Sequence, residues 1–157
     1  MLNSVYDYKT KELNGDSIDF ADFKGKVILV VNTASKCGLA GQLKDLEKLY
    51  KKYHDQGLEV IGFPSNQFLM ELKDSKNITE YCQVHYGVTF PITQTIKVNG
   101  EDTDPLFAYL KKESGHGPLK WNYTKFLIGK DGKLIHRYAP ITNPEKLEPE
   151  IQRALQA

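Results

Sequence analysis

The sequence predicts an α/β fold in which a central mixed β-sheet is flanked by helices. Three observations carry that expectation. Val27-Ile28-Leu29-Val30-Val31 is an unbroken, mostly β-branched run, the pattern of a strand covered on both faces. Residues 42–53 then place Leu43, Leu46, Leu49, Tyr50 and Tyr53 at helical spacing, with lysines and acids on the opposite side. A second buried run, Leu58-Glu59-Val60-Ile61-Gly62-Phe63, stops at Pro64. Strand, helix and strand form a βαβ unit, expected to be parallel and right-handed.

The other elements follow in order. Residues 6–13 look like a polar edge strand closed by the turn Asn14-Gly15. Gly57 ends the first helix. Beyond Pro64, Asn77 can cap a short helix with Ile78, Tyr81, Cys82 and His85 along one side. Residues 95–98 are predicted as a short strand before the turn Asn99-Gly100, and Pro105 opens a helix carrying Leu106, Tyr109 and Leu110. Strands over 124–128 and 134–138 are joined by Gly129-Lys130-Asp131-Gly132, a hairpin signal. The tail from Pro144 is helical, with Leu147, Ile151 and Leu155 spaced by four; Pro149 either starts that helix or kinks it. The order β-α-β-α, then β-β-α, is a thioredoxin-like layout with an extra helix inserted. A single domain over residues 1–157 is the most economical organisation.

Composition narrows the function classes. Forty per cent hydrophobic and 26% charged residues are ordinary for a globular chain, and a formal net charge of +1 gives no electrostatic case for nucleic acid or a membrane surface. Lys44-Asp45 and Glu47-Lys48 read as a solvated face. No apolar run approaches the roughly 20 residues that span a bilayer, and the N-terminus has no basic stretch ahead of an apolar core. Two cysteines are too few for a disulfide scaffold, so a reducing cytoplasm is the expected location. They stand 45 positions apart, which excludes a CxxC pair, and His54, His85, His116 and His136 show no metal-ligand spacing.

Cys37 is the residue whose position points to chemistry. It follows the first buried strand and precedes the first helix, near N–H groups that a helix leaves unpaired at its start. Such donors favour a thiolate, the nucleophilic form of cysteine. An inert packed cysteine fits the same position, so placement alone leaves both readings open.

Three segments add to it. Val31-Asn32-Thr33-Ala34-Ser35-Lys36-Cys37-Gly38 resembles the active-site segment of the glutathione peroxidase family. Gly62-Phe63-Pro64-Ser65-Asn66-Gln67-Phe68 resembles its second signature, and Lys120-Trp121-Asn122-Tyr123-Thr124-Lys125-Phe126-Leu127-Ile128 its third. They occur in family order, and the similarity runs from about Tyr6 to Leu155. The resemblance implies a thioredoxin-type fold and reduction of hydrogen peroxide and organic hydroperoxides at Cys37, with no metal, flavin or haem. It also implies that the Trp121 indole N–H and the Asn122 amide converge on Cys37 and meet the charge that develops as the O–O bond breaks. Taken singly, Trp121 is equally a core aromatic and Asn122 a turn former.

By the same resemblance Cys82, in Thr79-Glu80-Tyr81-Cys82, is the resolving cysteine of the thioredoxin-dependent branch. It would condense with a Cys37 sulfenic acid to a disulfide. Cys82 also shares an apolar stripe with Ile78, so it can be packed, and a packed resolving thiol needs local unfolding of its helix. The chain departs from the family at Leu69-Met70-Glu71-Leu72-Lys73-Asp74, where Glu71 takes the position of a catalytic glutamine; a carboxylate there would oppose thiolate formation. Gln67 reads as structural, Ser65 replaces a third cysteine, and Ala40-Gly41 replaces a Thr-Pro pair. The short stretch from Glu113 to Lys120 lacks the segment that builds tetramers, which implies a monomer open to a reductase. The reductant is therefore expected to be a thioredoxin-like dithiol protein, with direct use of glutathione and a peroxide-sensing relay as alternatives.

Overall fold

The computed structural model describes residues 2–69, 71 and 75–157, with Ser75, Lys76 and Thr79 described by backbone alone. Strands β1 (Lys9–Lys11) and β2 (Ser17–Asp19) form a small antiparallel hairpin. Strand β3 (Val27–Thr33) leads to helix α1 (Gln42–Tyr53), strand β4 (Leu58–Pro64) and helix α2 (Ser75–Tyr86). Helix α3 (Pro105–Ser114), strands β5 (Lys125–Ile128) and β6 (Leu134–Tyr138), and helix α4 (Glu148–Gln156) complete the chain. The main sheet has the order β4-β3-β5-β6, with β3 parallel to β4 and antiparallel to β5, the mixed sheet the sequence predicts.

Every residue of β3 and β4 is buried, and β3 serves two cores because successive side chains point to opposite faces. Val27, Leu29 and Val31 join the layer of α1, α2 and α4, which includes Leu43, Leu46, Ile78, Cys82 and Ile151. Ile28 and Val30 join Leu106, Phe107 and Leu110 of α3 and Tyr8 and Phe20 of the N-terminal segment.

Several local expectations are corrected. Only the middle of the predicted N-terminal strand forms as β1; Val5–Asp7 is a 3-10 turn, capped by the Ser4 hydroxyl accepting from the Tyr6 N–H. Residues 95–98 are not a strand. Ile96 instead donates its N–H to the Pro64 carbonyl, and the Gln67 side chain accepts from the N–H groups of Val98 and Asn99. Asn77 lies inside α2 rather than capping it, and of the predicted stripe Ile78 and Cys82 are buried while His85 is exposed, stacked on Tyr81. Glu47 is no solvated residue. Its buried carboxylate accepts from the Thr89 N–H at 2.7 Å, the Thr89 hydroxyl at 2.6 Å and the Phe90 N–H at 3.3 Å, fixing the chain just beyond α2. Pro149 stands at the start of α4, after a 3-10 turn over Pro144–Leu147, where its missing N–H is not needed.

Candidate active site

The sheet's directions bring three chain segments to one end. Val31 lies opposite Gly62 of β4 and Lys125 of β5, so the segment just before β5 runs beside the turn that follows β3. Asn32 joins them. Its carbonyl accepts the Tyr123 N–H at 2.7 Å, its side-chain oxygen accepts the Thr124 N–H at 3.0 Å, and its amide donates to Asn122 Oδ1 at 3.3 Å. Tyr123 has φ +70°, a left-handed conformation unusual for a bulky residue. Its buried hydroxyl holds it there, donating to the Ala34 carbonyl at 2.8 Å and accepting the Ala34 N–H at 3.4 Å.

Cys37 sits in the turn between β3 and α1 and is 5% exposed. Its sulfur accepts the Leu39 N–H at 3.4 Å. This donor belongs to the turn, not to the helix. The first N–H groups of α1, from Gln42, Leu43 and Lys44, are taken by the carbonyls of Leu39, Ala40 and Gly41, because the chain is already coiling before the helix begins. The expectation that free helix N–H groups face the thiol is thereby corrected, while a backbone donor to sulfur is retained.

Asn122 is fully buried, its oxygen is fixed by Asn32, and its Nδ2 has no hydrogen-bond partner among the described residues. A buried amide with a free donor is costly in a resting fold and is the usual sign of a group kept for another partner. Trp121 is 37% exposed, with its ring against Phe68 of the loop after β4, centroids 5.5 Å apart.

Cys82 is buried on α2, in the same apolar cluster as Cys37. Burial, and then the charge of Glu71, push its thiol up to about 12. The Ser35 hydroxyl faces it, too loosely for an ordinary hydrogen bond, and offsets part of that rise. Of the segment that carries Glu71, Met70 and residues 72–74 lie outside the described residues. Glu71 itself is buried, and its Oε1 accepts the Ser35 N–H at 2.9 Å. Burial holds the Tyr123 hydroxyl well above its usual range, and the charges of Cys82, Glu71 and Cys37 all add to that effect. Both cysteines and the carboxylate therefore bear electrostatically on one phenol.

Gln67 is structural, as the sequence predicts: its amide donates to the Asn99 carbonyl while its oxygen takes two backbone N–H groups. Sequence reasoning passed over Asn32, Ser35 and Tyr123. A polar Asn32 ending an otherwise apolar strand was the available signal for the first; nothing local marks the other two. Among the described residues no group of three or more His, Cys, Asp or Glu side chains is placed to hold a metal ion, and no helix is long and apolar enough to cross a membrane.

The glutathione peroxidase family model matches residues 5–111. The chain belongs to the glutathione peroxidase family. It is 51% identical to a glutathione peroxidase of Lactococcus lactis subsp. cremoris, over 97% of this chain and 99% of that one. It is 47% identical to the glutathione peroxidase-like peroxiredoxin 2 of Saccharomyces cerevisiae, over 99% of each chain. The thioredoxin-like fold has its own support in a thioredoxin-family thiol:disulfide interchange protein from Chlorobium tepidum, with a TM-score of 0.73 at 17% identity over 94% of this chain and 92% of that one. Family membership makes this chain a peroxide-reducing oxidoreductase, with its first two signatures inside the matched residues.

Proposed function

We propose that Cys37 is the peroxidatic nucleophile of a thiol peroxidase acting on hydrogen peroxide and organic hydroperoxides. The Cys37 thiolate attacks one peroxide oxygen, the O–O bond breaks, and the other oxygen leaves as hydroxide or alkoxide and takes up a proton. The sulfur is oxidised by two electrons to a sulfenic acid. The observation that carries this reading is the buried, unpartnered Nδ2 of Asn122, with its oxygen pinned by Asn32 so that the donor points elsewhere. In this reading the Asn122 amide and the Trp121 indole N–H receive the negative charge of the leaving oxygen, and the Leu39 N–H steadies the thiolate.

Cys82 is the resolving thiol in the same reading. It shares a packed cluster with Cys37, and both act on the Tyr123 hydroxyl. Cys82 loses its proton, its sulfur attacks the Cys37 sulfur, the S–O bond breaks, and the oxygen departs as water, leaving a Cys37–Cys82 disulfide. A thioredoxin-like dithiol protein then reduces the disulfide; the peroxiredoxin name of the yeast relative supports this reductant over glutathione. A monomeric, single-domain protein of the cytoplasm completes the proposal.

Peptide mass spectrometry after one equivalent of hydrogen peroxide tests it. A Cys37–Cys82 disulfide is the expected product. Sulfenic or sulfinic acid on Cys37 with Cys82 untouched would remove the resolving role, and an unmodified Cys37 would overturn the peroxidatic assignment.

A further inference from the structure

Among the described buried carboxylates that the catalytic reading leaves unused, Glu71 is the one hydrogen-bonded to the Cys37 turn. Glu71 is 6% exposed, and a carboxylate is retained in such a place only where hydrogen bonds or opposite charges compensate the lost water. Its Oε1 takes the Ser35 N–H at 2.9 Å. Ser35 stands two positions before Cys37, and Glu71 stands four positions before α2 begins. This charge-assisted hydrogen bond fastens the Cys37 turn to the segment after β4 that carries Glu71, four positions ahead of α2.

We propose that Glu71 is a positioning residue for the resolving step: its carboxylate ties the Cys37 turn to the approach of α2 and keeps Cys82 an idle thiol until that tie opens. The proposal rests on Cys82 being the resolving cysteine. Titratable groups facing the Cys82 thiol come from three directions. Glu71 raises its pKa from the loop before α2; the others are Tyr86 on α2, pushed up by burial, then Tyr81 and least by the thiol, and Tyr123 before β5, pushed up by burial and then by Cys82, Glu71 and Cys37. Of these groups only Glu71 is a carboxylate, and peroxide chemistry at Cys37 leaves it in place when resolution begins. A carboxylate beside a thiol opposes the thiolate, and only the thiolate attacks the sulfenic sulfur. The balance of the step is unchanged: Cys82 gives up a proton, the S–S bond forms, the S–O bond breaks and water leaves.

The proposal separates charge from tether, and two variants test it. Glu71→Gln keeps an oxygen for the Ser35 N–H and removes the charge; Glu71→Ala removes both. The assay follows Trp121 fluorescence in stopped flow after peroxide, with quenched samples read by mass spectrometry to assign each phase. In Glu71→Gln the disulfide-forming phase is expected to accelerate by about threefold for each pKa unit of relief at the thiol, because the gain in thiolate is partly offset by its lower nucleophilicity. Alkylation of Cys82 in a Cys37→Ser background should shift its pH midpoint downward. Glu71→Ala should accelerate the phase further and loosen the Cys37 turn, seen as faster exchange of the Ser35 amide. Disulfide formation at the wild-type rate in Glu71→Gln, together with an unmoved Cys82 midpoint, would overturn the proposal. Absence of any disulfide in the wild-type protein would instead overturn the resolving role beneath it, so the two failures are distinguishable.

Discussion

Replacing Asn122 with alanine should separate activity from stability. The substitution deprives the Asn32 amide of its buried acceptor at 3.3 Å. Leaving that donor unpaired destabilises by roughly 1–3 kcal/mol. The same substitution removes Asn122 Nδ2, a buried donor without a partner among the described residues. Relief of that group returns a similar roughly 1–3 kcal/mol. The void left by a few side-chain atoms adds about 1 kcal/mol. The balance is a loss of about 1 kcal/mol, a modest shift in a urea unfolding curve. The rate should respond far more. A buried donor aimed at developing oxygen charge contributes roughly 10²–10³-fold, or about 3–4 kcal/mol. The assay is peroxide consumption coupled to thioredoxin, thioredoxin reductase and NADPH, with kcat/KM compared at matched protein concentration. A kcat/KM within about threefold of wild type, far from that 10²-fold expectation, would refute the role given to the Asn122 amide.

The other predictions concern the thiols and α2. Cys37→Ser should abolish peroxide consumption while leaving the urea midpoint close to wild type, since serine is nearly isosteric in the turn; residual turnover would place the nucleophile elsewhere. Burial and Glu71 raise the folded Cys82 thiol to about 12, against an unfolded value of about 8.5. The folded state keeps the proton longer, so this contribution to stability is complete below about pH 8.5 and is lost as pH climbs toward about 12. Between those limits wild type should lose up to about 1.4 kcal/mol per pH unit more than Cys82→Ala; equal slopes in pH-dependent urea unfolding would contradict it. Glu47→Ala leaves the buried Phe90 N–H without its acceptor and should destabilise the fold by about 1–3 kcal/mol, with amides at the end of α2 losing hydrogen-exchange protection first.

The sheet and most helices were legible because their signals are periodic and long. The β3 run, the amphipathic face of α1 and the Gly129-to-Gly132 hairpin each set several residues toward one conclusion. The failures lie where one side-chain contact outweighs pattern. Residues 95–98 have strand-like composition, but the Gln67 amide takes the backbone N–H groups of Val98 and Asn99, so no ladder forms there. Glu47 was misread because periodicity ranks a glutamate beside lysines as solvated. Only the tertiary fold shows three donors waiting opposite it. At the site, Cys37, Cys82, Trp121 and Asn122 came from position and family resemblance. Tyr123 could not, since its role depends on a left-handed backbone and a hydroxyl that returns to Ala34.

Helix α2 is fastened near both ends by buried carboxylates. Beyond its end, Glu47 holds Thr89 and Phe90; ahead of its start, Glu71 holds Ser35. Between these ties its described, fully buried positions are Ile78 and Cys82, with Tyr81 and Tyr86 half-buried. With so few buried side chains among its described positions, the helix leans on the charge-assisted hydrogen bonds at its ends. Those bonds respond to charge and to strain in the Cys37 turn, which apolar packing does not. Oxidation of Cys37 adds an oxygen to a thiol only 5% exposed, in the turn that Ser35 shares. On the proposed mechanism, the event that calls for a second thiol therefore loads one of the two fastenings that confine it. Apolar substitutions along α2 should accordingly alter stability more than the resolving rate, while changes at Glu47 and Glu71 alter the resolving rate directly.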